Sequence, residues 1–232
     1  MFAGSIVNTK IGSIAKGGVV TAQGQGTTSD VSVGTLSGSL SAPEDPNAPA
    51  GTSTGMMSGT TINSITSTGT VSTGSISGMS VGTADSGSSI TAAGFGTVSN
   101  VTISKLAGAL TAKKDTTPGS GTLSNASIGT LATTGKVNAA NAFNITVTVA
   151  GGSIDVTGLL DKLTAGSVQN TANLVAGHFN TVTAQHSSPV VNFVEPTVTR
   201  TLAVTPHVAG AAVPDYGFYY DGTAPGDPRA RN

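Results

Sequence analysis

Ile62-Asn-Ser-Ile65-Thr-Ser-Thr-Gly-Thr-Val71-Ser-Thr73 sets an aliphatic residue, a second one three positions on, a glycine, a third aliphatic and a small closing residue. The frame recurs at Ile11-Gly-Ser-Ile14 through Val20 to Ala22, at Val33-Gly-Thr-Leu36-Ser-Gly-Ser-Leu40-Ser-Ala42, and at Val81-Gly-Thr-Ala84 through Ile90 to Ala92. It returns at Ile103-Ser-Lys-Leu106-Ala-Gly-Ala-Leu110-Thr-Ala112 and at Ile128-Gly-Thr-Leu131 through Val137 to Ala139. The opening positions 11, 33, 62, 81, 103 and 128 are 22, 29, 19, 22 and 25 residues apart. Solenoid repeats start at about 20 residues. A unit this small cannot enclose a core of its own, so it must stack, and equivalent aliphatics then form continuous ladders. Ile154 reads as the opening of a seventh, degenerate copy that runs through Leu160, Leu163 and Val168.

The composition says which kind of stack this is. The 232 residues include 32 Gly, 27 Ser and 36 Thr, with no Cys or Trp and only 9% charged residues. Weak helix formers dominate, which excludes a helical bundle or coiled coil. Isolated Val, Ile and Leu among small polar residues suit strands, with every second side chain turned inward. The chain therefore reads as all-β, a parallel β-helix (solenoid) of about six to eight turns, with glycines at the corners. At the inter-strand spacing this gives a rod roughly 30 Å long. A hydrophobic content of 37% and a formal net charge of −1 separate it from disordered low-complexity chains.

Departures from the repeat length must leave at corners, because an insertion inside a strand would flip the register. Ala42-Pro-Glu-Asp-Pro-Asn-Ala-Pro-Ala-Gly51 and Lys113-Lys-Asp-Thr-Thr-Pro-Gly-Ser-Gly121 supply such insertions. Each follows the closing Ala of a unit, so the edge loops 43–51 and 113–121 are expected to project from one edge of the solenoid domain, residues 1–186. From 187 to 232 the chain changes character: it holds six of the ten prolines, and Tyr216, Phe218, Tyr219 and Tyr220 stand together. This segment is read as a cap over the last turn or a linker to a further module, since an open solenoid end exposes unpaired backbone. Val198, Arg200, Leu202 and Val204 alternate within it, as in one extended strand. The N-terminus shows no comparable cover, because Ile6, Val7 and Ile11 begin the pattern at once. Either an upstream portion precedes it or that end meets a partner.

Little chemistry is written into the chain. Without cysteines there is no zinc module, haem attachment or disulfide scaffold, and no cofactor or metal is expected. Near-neutral charge argues against nucleic acid. No apolar run approaches a membrane span. A β-helix enzyme of the glycan hydrolase or lyase kind would need carboxylates at equivalent positions of adjacent turns. Asp155 and Asp161 come nearest, and they read as solvated surface positions. His178, His186 and His207 are too scattered for a ligand set. Asn100-Val-Thr, Asn125-Ala-Ser and Asn144-Ile-Thr are N-glycosylation sequons, a motif that also arises by chance in so Ser/Thr-rich a chain. Thr146-Val-Thr148, Thr181-Val-Thr183 and Thr197-Val-Thr199 raise the idea of an ice-binding face, since regular Thr ladders can order water. They do not recur at the common repeat positions, so strand propensity is the preferred account. The aromatic cluster at Tyr216–Tyr220 could dock a sugar or a protein, with burial as the end cap the preferred reading.

The Ile/Val-Gly-Thr-Leu frame with Gly-x-Leu/Val and a closing Thr/Ser-Ala resembles the repeat regions of bacterial surface and secreted proteins of the adhesin-like parallel β-helix kind. The resemblance covers roughly residues 5 to 185. It implies an extracellular or cell-surface location and a structural rather than enzymatic role. The expectation is a rod or stalk segment of a large surface protein, self-associating into filaments or joined to neighbouring modules. The alternatives are an adhesin-type module binding surface glycans or a receptor and, more weakly, a carbohydrate-active enzyme.

Overall fold

The computed structural model describes residues 1–24, 26–45, 47, 54–94, 96–114, 119–169, 171–186, 192–194, 202–204 and 219–220. Its secondary structure is β throughout, a parallel solenoid of about eight turns. Each turn contributes three paired segments, separate strands in the first turns and fused into longer ones such as Ser153–Val168 in later turns, and inside the stack each segment pairs with its equivalents one turn below and above, so the stack has three faces. The first carries the opening aliphatics, as in Thr61–Ile65; the second carries the third aliphatic, as in Thr70–Thr73; the third is short, as in Ser75–Ser77.

On the first face Ile11 pairs with Val33, Val33 with Ile62, Ile62 with Val81, Val81 with Ile103 and Ile103 with Ile128. The six opening residues recognised in the sequence therefore form one ladder in perfect register. The seventh copy opens elsewhere than the sequence suggested: Ile128 pairs with Val147, while Ile154 pairs with Val137 on the second face. Val147-Thr-Val-Ala150-Gly-Gly-Ser-Ile154-Asp-Val156 fits the frame once Ala150 takes the second slot, as Ala84 does in its own turn. Ile154 is thus the third aliphatic of that turn.

The core is a set of such ladders running up the axis. Leu36, Ile65, Ala84, Leu106 and Leu131 form one, and Leu40, Val71, Ile90, Leu110 and Val137 another, all at most 1% exposed. The third face adds Ile6, Thr28, Met57, Ile76, Val98, Leu123, Ala142, Leu160 and Phe179. Stacking like on like lets each side chain meet its equivalent at the inter-strand spacing of about 4.8 Å.

Thr28 breaks that last ladder. It is fully buried, and its Oγ1 has no hydrogen-bond partner. The other inward threonines are satisfied: Thr60 Oγ1 donates to the Ser58 carbonyl (3.3 Å) and Thr73 Oγ1 to that of Ser75 (2.9 Å). A buried unmet hydroxyl costs about 1–3 kcal/mol. Thr28→Val keeps the shape and removes the hydroxyl, so thermal denaturation should show a melting point raised by a few degrees. Thr73→Val should lower it.

The corner from the first face to the second comes in two lengths. Most are long, as in Ile65-Thr-Ser-Thr-Gly-Thr-Val71; three are short, Leu36-Ser-Gly-Ser-Leu40, Leu106-Ala-Gly-Ala-Leu110 and Ala150-Gly-Gly-Ser-Ile154. In each case the next long corner carries a Thr that covers the short one. Thr68, Thr134 and Thr171 donate through Oγ1 to the carbonyls of Ser37, Ala107 and Gly151, at 2.7, 2.9 and 2.7 Å. Two residues fewer leave that carbonyl uncovered, and the hydroxyl restores its hydrogen bond.

Candidate functional site

The three sequon asparagines occupy one structural column. The corner from the third face to the first holds a left-handed residue in eight successive turns, and these are Asn8, Asp30, Gly59, Gly78, Asn100, Asn125, Asn144 and Lys162, with φ between 48° and 68°. Asn and Asp tolerate this conformation better than other side chains, and Gly enters it freely. Asn125 Nδ2 donates to Asn100 Oδ1 at 3.3 Å, and Asn144 Nδ2 donates to Asn125 Oδ1 at 2.8 Å, so the exposed amides form a ladder. The backbone thus gives a reason for asparagine at 100, 125 and 144 that does not involve sugar. A glycan on Asn125 or Asn144 would use a nitrogen that already donates within the ladder.

The aromatic platform falls mostly outside the described residues: Tyr216 and Phe218 lie there entirely. Of Tyr219 and Tyr220 the backbone is described, a strand running antiparallel to Leu202–Val204.

The carboxylates considered for catalysis do not converge. Asp155 points outward from the second face, in register with Asn138 and Val175. Asp161 lies on the third face beside Phe143 and Asn180, where Asn180 Nδ2 donates to Asp161 Oδ1 at 2.6 Å. His178 is on the third face next to Leu159, and His207 lies outside the described residues. Among the described residues, no three His, Cys, Asp or Glu side chains gather as a metal site would require.

The residues that precede the two edge loops, Ala42 and Ala112, share one corner of the stack. Ala42, Thr73, Ala92 and Ala112 are in register, so loops 43–51 and 113–121 start on the same edge, three turns or about 14 Å apart. Much of each loop lies outside the described residues. The flank of the second loop is described: Lys113 and Lys114 stand over Thr111, Asn138, Asp155 and Thr157, around an open cleft of about 220 Å³. Asn138 Nδ2 donates to Thr111 Oγ1 at 3.4 Å there. An amide, a carboxylate, two ammonium groups and hydroxyls are groups that hold a polar, hydroxylated ligand.

Register also uncovers a surface feature that the Thr-x-Thr motif missed. The residue just before each opening position faces outward: Lys10 in the first turn, and then Ser32, Thr61, Ser80, Thr102, Ser127, Thr146, Thr164 and Thr183, each in register with the next. A column of Ser and Thr hydroxyls therefore does recur at a common repeat position. Neighbouring Thr pairs do not reveal it, because the column joins equivalent rungs of successive turns rather than residues adjacent in the chain. On the third face Ser29, Ser58, Ser77, Ser99 and Ser124 form a second column.

Comparison with protein-family models, with curated proteins and with solved structures finds no match to this chain.

Proposed function

We propose that the protein is a non-catalytic structural rod, a spacer or stalk segment of an extracellular or cell-surface protein that associates through its ends. The observation that carries this reading is the set of core ladders running from turn to turn beneath faces of small hydroxyl and amide side chains. Such a stack transmits load along its axis, because each turn is tied to the next by a parallel ladder of backbone hydrogen bonds. A hydroxyl coat of low charge keeps the sides hydrated. The surface location rests on the resemblance of the repeat frame to adhesin-like solenoids.

A second reading, a module that binds surface glycans, is favoured by the cleft of Lys113, Lys114, Asn138 and Asp155. The two separate in one pair of measurements. Small-angle scattering should show an elongated particle whose solenoid accounts for a length of about 38 Å, and glycan arrays should show no retention. A specific glycan hit lost in Asp155→Ala would move the assignment to the binding module. A particle with no long axis would overturn the rod.

A further inference from the structure

The asparagine ladder on the left-handed corner has a direction. Asn144 Nδ2 donates to Asn125 Oδ1 at 2.8 Å and Asn125 Nδ2 to Asn100 Oδ1 at 3.3 Å, so each amide turns its nitrogen toward the turn below. Charges at the two ends favour this sense of the amide dipoles. Lys162 occupies the rung above Asn144, and Asp30 closes the column three rungs below Asn100. Asn100 is the lowest of the three asparagines. Among the described residues its Nδ2 has no acceptor.

The space that this nitrogen faces is bare. Gly78 and Gly59 fill the two rungs beneath Asn100. A Cβ added at Gly78 would meet only the Gly59 nitrogen, at 3.7 Å, whereas Asp30 Oδ1 lies 2.5 Å from where a Gly59 Cβ would stand. A gap of about two rungs, about 10 Å, therefore separates an amide donor above from a carboxylate acceptor below. Asn100-Val101-Thr102 is also a sequon whose Asn and Thr side chains are exposed while Val101 is buried. Register thus distinguishes Asn100 from the other two sequons. At Asn125 and Asn144 the oxygen of the asparagine beneath takes the place that an incoming anomeric carbon needs.

We propose that Asn100 is an N-glycosylation site of the folded stack, and that Asn125 and Asn144 are closed to the same modification by the ladder. The proposal rests on the surface location in the rod reading and adds a covalent sugar to it. The donor is a phosphate-activated sugar held by a sequon-reading glycosyltransferase. Asn100 Nδ2 attacks its anomeric carbon; the new C–N bond replaces the C–O bond to phosphate, which leaves with that electron pair. A base of the transferase takes one amide proton. The ring then lies over Gly78, with the Asp30 carboxylate below to accept from its hydroxyls.

The test uses the 232-residue chain, purified folded from a host that adds no N-glycans. It is incubated with a soluble sequon-specific N-glycosyltransferase and UDP-glucose, and the products are mapped by peptide mass spectrometry. The expected result is one hexose on Asn100 and none on Asn125 or Asn144, whereas peptides released from the chain accept it at all three. Asn100→Gly removes the acceptor beneath Asn125, so the hexose should move to Asn125. Gly78→Asp supplies an acceptor beneath Asn100, and the hexose should be lost. Gly and Asp both tolerate the left-handed angle, so circular dichroism and melting point should stay native in both variants. Three outcomes would each overturn the proposal: a folded chain unmodified at Asn100, equal labelling of all three asparagines, or an Asn100→Gly chain without hexose on Asn125. None of them touches the rod reading, which stands or falls on the long axis seen in small-angle scattering.

Discussion

Replacing Leu106 by Asp is expected to abolish the native fold. Leu106 has no solvent exposure and sits mid-ladder, between Ala84 below and Leu131 above. Truncating such a side chain alone costs about 2–5 kcal/mol. Asp adds a charge that no described basic group can reach inside an all-apolar column, a larger penalty. The stack makes the damage worse, because each turn is held only by its neighbours, so a failed turn in the middle separates two halves that must stand alone. Circular dichroism should show loss of β signal and no cooperative melt. Thr102→Asp is the control: it lies on the same strand, points outward and is exposed, and its melting point should stay within a degree or two of the native one. A Leu106→Asp protein melting like the native chain would mean that the ladder is not the core.

What could be read in the sequence was the interior. Aliphatic residues at fixed offsets have one physical use in a chain of Gly, Ser and Thr, and the six opening residues do stack as their spacing required. The seventh was misplaced because Ala150 and Ala165 are weak aliphatics, and Ile154 outweighed the true opening at Val147. The surface was harder to read. An outward Ser or Thr has no signature of its own, and its membership of a column appears only when the register is known. The left-handed corner shows the same effect: Asn8, Asp30, Gly59, Gly78 and Asn100 differ in type, share one backbone angle, and are linked by position alone. The candidate sites were read from motifs that a biased composition produces freely. The cleft beside Asp155 joins Lys113 to Asn138 and Thr157 across adjacent turns, a neighbourhood invisible along the chain.

The middle residue of the first-face strand shows how register turns composition into a rule. Successive turns read Gly12, Gly34, Asn63, Gly82, Ser104, Gly129, Thr148 and Gly166, with glycine in every second turn from Gly34 onward. A Cβ added at Gly82 would collide with the carbonyl of Asn63, one at Gly129 would lie 2.5 Å from the Ser104 oxygen, and one at Gly166 2.8 Å from that of Thr148. At Gly34 a Cβ would likewise collide with the carbonyl of Gly12, so wherever one of these glycines has a turn beneath it, that turn's carbonyl takes the place of a side chain. Gly129→Ala should therefore destabilise by about 1–3 kcal/mol, lowering the melting point by several degrees, although alanine is ordinarily the better strand residue. Gly12 stands at the equivalent place in the first turn, where a Cβ would meet nothing within 4 Å. There Gly→Ala should leave stability unchanged or raise it by about 0.4–1 kcal/mol through the unfolded chain. Equal melting points for Gly12→Ala and Gly129→Ala would sink the account. The opposite signs are required because one glycine has a turn beneath it and the other does not.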